Sequence, residues 1–197
     1  MRLITFANTK GRRRGAAEVR PFESPEDYLG MIEYFSGSPD ELLLRMGVSR
    51  SKLLTSAEWL AAVWADHWLR DDDPRRERFY LAWVHDQRIV GHSSLDRIQF
   101  ADQARAHLHL WNASLRGRGW GTDFFRASVT TYFKRFRLKR LIVEPKADNA
   151  APNRVVVALG FRLVRTYRTV PGPIQFEQDV NTYEISDDEW RAIGDVP

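Results

Sequence analysis

The chain has no cysteine among its 197 residues. Disulfides and thiolate metal sites are therefore excluded, and the absence suits a reducing, cytoplasmic setting. No apolar run approaches the ~18 residues that a membrane span needs. The apolar stretch "LITFA" is too short for a secretory signal, and Arg12, Arg13 and Arg14 follow it instead of preceding it. No G-x-x-x-x-G-K-[ST] motif is present, so a P-loop is excluded, and no G-x-S-x-G motif suggests a serine hydrolase. Charge of one sign is also scarce in excess: 30 Lys+Arg against 26 Asp+Glu leave +4, which permits an anionic ligand without calling for nucleic acid.

What the chain does have is the 43% hydrophobic and 28% charged content of a globular protein. Residues 1–17 carry the three arginines and no acid, and are expected to form a flexible basic tail. Residues 18–197 are expected to form a single domain, with no internal repeat or long linker.

"AEVRPF" suggests a first strand. Helices are predicted from Ser24 as N-cap with Pro25 in the first turn, and from Ser38 as N-cap to a stop at Gly47. A third is predicted through "SAEWLAAVWADHWLR", where Leu60, Trp64 and Trp68 recur every four residues, a stripe read as core before pocket wall. "FYLAWV" and "IVGHSSLDRI" around the turn "HDQR" predict an antiparallel hairpin, and "RAHLHLWN" a further strand. Phe125, Val129, Tyr132, Phe133 and Phe136 share one face of a long helix. "LKRLIVEP" follows as a short strand. "APNRVVVALGF" has a strand-like valine run, yet Asn149 before it and Gly160 after it favour a helix. "FRLVRTYRTV" and "FEQDVNTYEI" are the last two strands. The order predicts an α/β fold whose mixed, mostly antiparallel sheet has about six to seven strands and helices on both faces.

The segment "LRGRGWGTDFF" leads from a strand into a helix with Gly117, Gly119 and Gly121 and two arginines, Arg116 and Arg118. G-x-G-x-x-G is not met, because Thr122 stands where the third glycine would be. Two readings remain open for the segment alone: a turn, or a cradle in which glycine backbone and the first helical turn hold a phosphate.

With Asn149 eleven residues before Gly160-Phe161, the segment resembles motif A of the GNAT acetyltransferase superfamily, [RQ]-x-x-G-x-[GA]. The texture is most similar to the ribosomal-protein N-terminal acetyltransferase branch, although Pro152 stands where that branch has Ser. The resemblance implies a GNAT fold and acetyl-CoA as donor. It implies that Leu110, Trp111 and Asn112 offer backbone groups to the pantetheine arm, with an amide near Leu110–Trp111 polarising the thioester. Arg116, Gly117, Arg118, Gly119, Trp120 and Gly121 would hold the pyrophosphate, and Asn149, Asn153 and Arg154 would line the other side. Many members have a Tyr seven residues after the Asn to protonate the thiolate; here that residue is Val156.

Acetyl transfer to an amine benefits from a base that titrates near neutrality. Strand alternation puts His107 and His109 on one face with Trp111, and His92 joins them if the two strands pair. His109 is the first candidate base, His107 the second and Glu144 a third. For each the alternative is a structural hydrogen bond. No metal is expected. The expected partners are acetyl-CoA and an amine acceptor, with no membrane or nucleic acid; a homodimer is left open. The rival readings are an acyl-CoA binder without turnover and a nucleic-acid binder using the basic N-terminus and Lys134–Arg140.

Overall fold

A computed structural model describes residues 17–194. The segment expected as a basic tail lies outside the described residues, save Ala17. The elements are β1 (Ala17–Pro21), α1 (Pro25–Ser36), α2 (Asp40–Met46), α3 (Ser56–His67), β2 (Phe79–His85), β3 (Arg88–Gln99) and β4 (Gln103–Leu110). They continue as α4 (Trp120–Phe136), β5 (Arg140–Val143), α5 (Ala150–Ala158), β6 (Arg162–Thr169), β7 (Gln178–Ser186) and α6 (Asp187–Gly194). The seven strands form one sheet in the order β1-β2-β3-β4-β5-β7-β6. All neighbours are antiparallel except β4 and β5, which α4 joins as a crossover. The mostly antiparallel sheet with helices on both faces is as the sequence predicts.

Alternation along β2 divides the core into two layers. Phe79, Leu81 and Trp83 face α4 and meet Phe124, Tyr132 and Phe136. Tyr80 and Ala82 face the other way, onto Tyr28, Met31, Ile32 and Phe35 of α1. Trp83 is fully buried, and its indole N–H donates to Ser128 Oγ at 2.9 Å, so the burial leaves no orphan donor. Between β2 and β3, Asp86 and Gln87 both take positive φ, 47° and 63°, the geometry of a two-residue hairpin whose twist matches its strands.

The valine run is helical, as Asn149 and Gly160 suggest: Val156 is fully buried and Gly160 ends the helix region at φ +84°. Asn149 occupies the N-cap position without a side-chain cap bond.

Three expectations are corrected. Ser38 is not the cap of α2; Pro39 is, and Ser38 Oγ instead donates to Tyr34 O at 2.5 Å. Trp68 is 74% exposed and not core, because α3 stops at His67 and the four-residue stripe stops with it. A helix, α6, follows β7, where none was expected. A reciprocal cap starts it: Glu189 N–H donates to Ser186 Oγ at 3.2 Å, and Ser186 N–H to Glu189 Oε2 at 2.8 Å. Its Trp190 stacks on Phe133. Among the described residues, no helix is long and apolar enough to cross a membrane.

Candidate active site

The sheet opens at its centre. β4 and β5 pair only over Gln103–Ala106 and Arg140–Val143. β4 runs on to Leu110 against β3 alone. Trp111 N–H donates to Val90 O at 2.8 Å, which fixes the ladder's parity. In an antiparallel ladder, alternate residues turn their N–H and C=O to the partner strand. His107 and His109 therefore bond towards β3, while the backbone groups of Leu108 and Leu110 point into the opening beside β5. Of the backbone groups expected to serve a cofactor, Leu110's faces the opening. The amides of Trp111 and Asn112 do not, since both donate to Val90 O, at 2.8 and 3.1 Å.

The glycine segment lies where β4 ends. Gly117 and Gly119 have φ of +71° and +87°, and Gly119 is the N-cap of α4. Both positions favour glycine for conformational reasons. Gly121 differs: it needs no positive φ, and a Cβ there would meet only Val155 of α5, at 3.9 Å. The α4 N-terminus carries the positive end of a helix dipole. Arg116 and Arg118 are exposed beside it, and Arg116 Nη2 donates to Leu110 O at 3.0 Å. Across from them, on α5, Arg154 is exposed and Asn149 half-buried. Asn153 is committed elsewhere. Its Nδ2 donates to Lys146 O and Asn149 O, at 3.0 and 2.7 Å, and its Oδ1 accepts from Asn181.

The opposite face of β3 and β4 carries the histidines. Register places His92 beside His109, Ser94 beside His107 and Asp96 beside Arg105. His107, His109 and Trp111 share this face, as alternation predicts, and His92 joins them. His92 and His109 stack at 4.8 Å, and Trp111 N–H donates to His92 Nδ1 at 2.9 Å. Phe35 and Tyr34 of α1 close over His109 at 5.0 and 5.9 Å. Burial, then the charge of His107, pushes the His109 imidazole down to about 3. His92 is also held well below its ordinary value, by burial and then by the two neighbouring imidazoles.

His107 stands in a different setting. Its Nε2 lies 3.2 Å from Asp96 Oδ1, and both side chains are 27% exposed. Asp96 also accepts from Arg105 Nε and Nη2 at 2.8 and 2.5 Å. Arg105 Nη1 reaches Glu144 Oε2 at 3.1 Å, and Glu144 Oε1 accepts from Tyr167 and Thr182 at 2.9 and 3.0 Å. Burial raises the Glu144 carboxyl, but the bonds from Tyr167, Arg105 and Thr182 outweigh it and lower it. Glu144 is the hub of a saturated polar network. The structure thus joins all three candidate bases on one face but commits Glu144 to other partners. Asp96 and Arg105 were not among the candidates; the signal for them was the cross-strand register.

Among the described residues, no three His, Cys, Asp or Glu side chains are grouped to hold a metal. Cavities of about 400 and 230 Å³ lie elsewhere, around Asp71, Phe100 and Arg137 and around Tyr28, His67 and Arg76; neither reaches β4.

The acetyltransferase (GNAT) domain family model matches residues 18–162. A comparison with curated proteins gave no match. Solved structures share the fold. RimL, a ribosomal L7/L12 alpha-N-protein acetyltransferase in complex with coenzyme A, is 18% identical, with a TM-score of 0.69 over 88% of this chain and 95% of that one. The ribosomal-protein-S5-alanine acetyltransferase from Vibrio fischeri is 19% identical, with a TM-score of 0.69 over 95% and 98%. The spermidine N-acetyltransferase from Vibrio cholerae, in complex with CoA and spermine, is 13% identical, with a TM-score of 0.69 over 89% and 98%.

Proposed function

Since the chain belongs to the GNAT acetyltransferase family, we propose that it moves an acetyl group from acetyl-CoA to a primary amine of a small molecule or a protein or peptide. The amine attacks the thioester directly in a ternary complex, in a cytoplasmic enzyme whose residues 18–197 act as one domain. The observation that carries this reading is the parting of β4 from β5 beyond Ala106, with Leu108 and Leu110 backbone groups turned into the gap. A pantetheine arm has amides of its own and fits there as a short extra strand. Its pyrophosphate then reaches the Gly117–Gly121 turn and the dipole of α4, with Arg116 and Arg118 beside it. Arg154 and Asn149 flank the cofactor from α5, while Asn153 shapes the loop that carries them. An amide of Leu108 or Leu110 polarises the thioester carbonyl.

His107 takes the first place as base and His109 the second. An imidazole pushed down to about 3 is a poor proton acceptor, whereas His107 faces a carboxylate at 3.2 Å. The acceptor approaches on this face, under Tyr34, Phe35 and Trp59 of the N-terminal helices.

Titration calorimetry with acetyl-CoA comes first, followed by CoA release with a panel of polyamines, amino acids and peptide N-termini. Binding followed by release with at least one amine is expected. No acetyl-CoA binding by the folded protein sinks the proposal. Val156, fully buried where many family members have a catalytic Tyr, favours a second reading: an acyl-CoA binder without turnover. Binding without release across the whole panel is its signature.

A further inference from the structure

We propose that Asp96 is the positioning carboxylate of His107, accepting the Nε2–H and so leaving the Nδ1 lone pair to take the amine proton. This rests on the acetyl-transfer reading above. Three features of the fold converge on the pair.

The first is how firmly Asp96 is aimed. Both its oxygens bond the Arg105 guanidinium, which is 4% exposed as a residue and is held from its far side by Glu144 and by Pro171 O at 2.8 Å. A bidentate pair fixes a carboxylate in direction as well as in distance. Burial raises the Asp96 carboxyl, but His107 and Arg105 outweigh it and hold it well below the ordinary carboxylate range.

The second is the backbone under Asp96. The β3–β4 register breaks between Asp96 and Gln99, and Arg97 takes φ +50°, a left-handed conformation that is strained for a non-glycine residue. Bulges of this kind re-aim a side chain at a strand's end. Regular pairing would spare the strain.

The third is the clamp on His107 itself. Its carbonyl accepts from Ser93 Oγ at 2.7 Å, and Ser93 Oγ accepts from Tyr132 at 2.8 Å, both side chains lying in the α4 layer. His107 is held by its backbone from one face of the sheet and by its ring from the other. The next residue, Leu108, turns its amide to the thioester gap, so base and reacting carbonyl are neighbours on one strand.

In the reaction the amine nitrogen attacks the acetyl carbon, and its proton passes to His107 Nδ1 and then to solvent. The C–S bond breaks as the tetrahedral intermediate collapses, and the thiolate leaves with the electron pair and is protonated by solvent.

The test pairs nitrogen-detected NMR of the His107 imidazole with steady-state kinetics. In the wild-type protein, neutral His107 is expected as the Nε2–H tautomer. In Asp96→Asn the carboxylate charge is gone and either amide atom can face Nε2, so the Nε2–H share falls, and kcat falls about 10²-fold or more while KM for acetyl-CoA holds. Asp96→Glu keeps the carboxylate and is expected to restore the tautomer and part of kcat. An Nδ1–H tautomer in the wild type overturns the proposal whether or not Asp96→Asn folds. So does a folded Asp96→Asn with unchanged kcat. Absence of acetyl-CoA binding in the wild type overturns the transferase reading and this inference with it, and calorimetry tells that failure from the other two.

Discussion

His92 and His109 show how burial, with neighbouring imidazoles adding to it, separates histidines of one strand pair by role. Their imidazoles lie face to face with proton affinity lowered first by desolvation. The folded state then disfavours the charged form relative to the unfolded chain, whose histidines titrate near 6.5. Their contribution to stability is complete above that pH and is lost as pH falls below it, for His109 from about 6.5 towards 3, at up to ~1.4 kcal/mol per unit. The melting temperature should therefore fall steadily between pH 6.5 and 4.5, and His92→Gln or His109→Phe should flatten the decline. A wild-type profile already flat over that interval contradicts this. The two tryptophans Trp83 and Trp68 make a second contrast. Trp83→Ala removes a fully buried ring and should cost ~3–5 kcal/mol. Trp68→Ala, at a 74% exposed position, should stay within ~0.5 kcal/mol in denaturant titration. The histidine face was legible in the sequence because alternation is a property of one strand. Asp96 and Arg105 were not, because their meeting depends on the register between two strands and on a bulge that no single-strand pattern encodes.

The turn into α4 separates two uses of glycine. Gly119→Ala must hold φ +87° and should destabilise the fold by ~1–2 kcal/mol. Gly121→Ala should do the opposite. It lies inside α4, its Cβ would meet only Val155 at 3.9 Å, and alanine improves helix propensity by up to ~1 kcal/mol. The last position of [RQ]-x-x-G-x-[GA] admits alanine, so the same methyl should leave acetyl-CoA binding within about twofold, ~0.4 kcal/mol. Thermal melts and calorimetry on one variant read both effects, and a Kd raised about tenfold or more contradicts the equivalence of glycine and alanine at this position. Elements with strong ends were readable: α1 from Ser24-Pro25, and α5 in spite of its valines, because Asn149 and Gly160 frame it. α6 was missed although Ser186-x-x-Glu189 carries the spacing of a reciprocal cap. The segment is only 8 residues long, and the periodicity of so short a helix is slight beside the strand before it.

For the whole molecule, the order of elements from β1 to β7 was visible in the sequence, but the place of β7 between β5 and β6 was not, since it depends on how the chain returns and not on local pattern. Solved relatives at 13–19% identity keep the architecture, so much of it rests on patterning that many sequences satisfy.

The brevity of the β4–β5 contact has a mechanical consequence. Four residues on each strand make the ladder between a β1–β4 half and a β5–β7–β6 half of the sheet. The Arg105–Glu144 ion pair rivets it near the point of divergence, from the histidine side. A ligand lodged in the gap is then a keystone, turning two hinged leaves into one slab. Acetyl-CoA should slow deuterium uptake at Leu108 and Leu110 and also along Gln103–Ala106, and Arg105→Lys should loosen the seam in the empty protein more than in the loaded one.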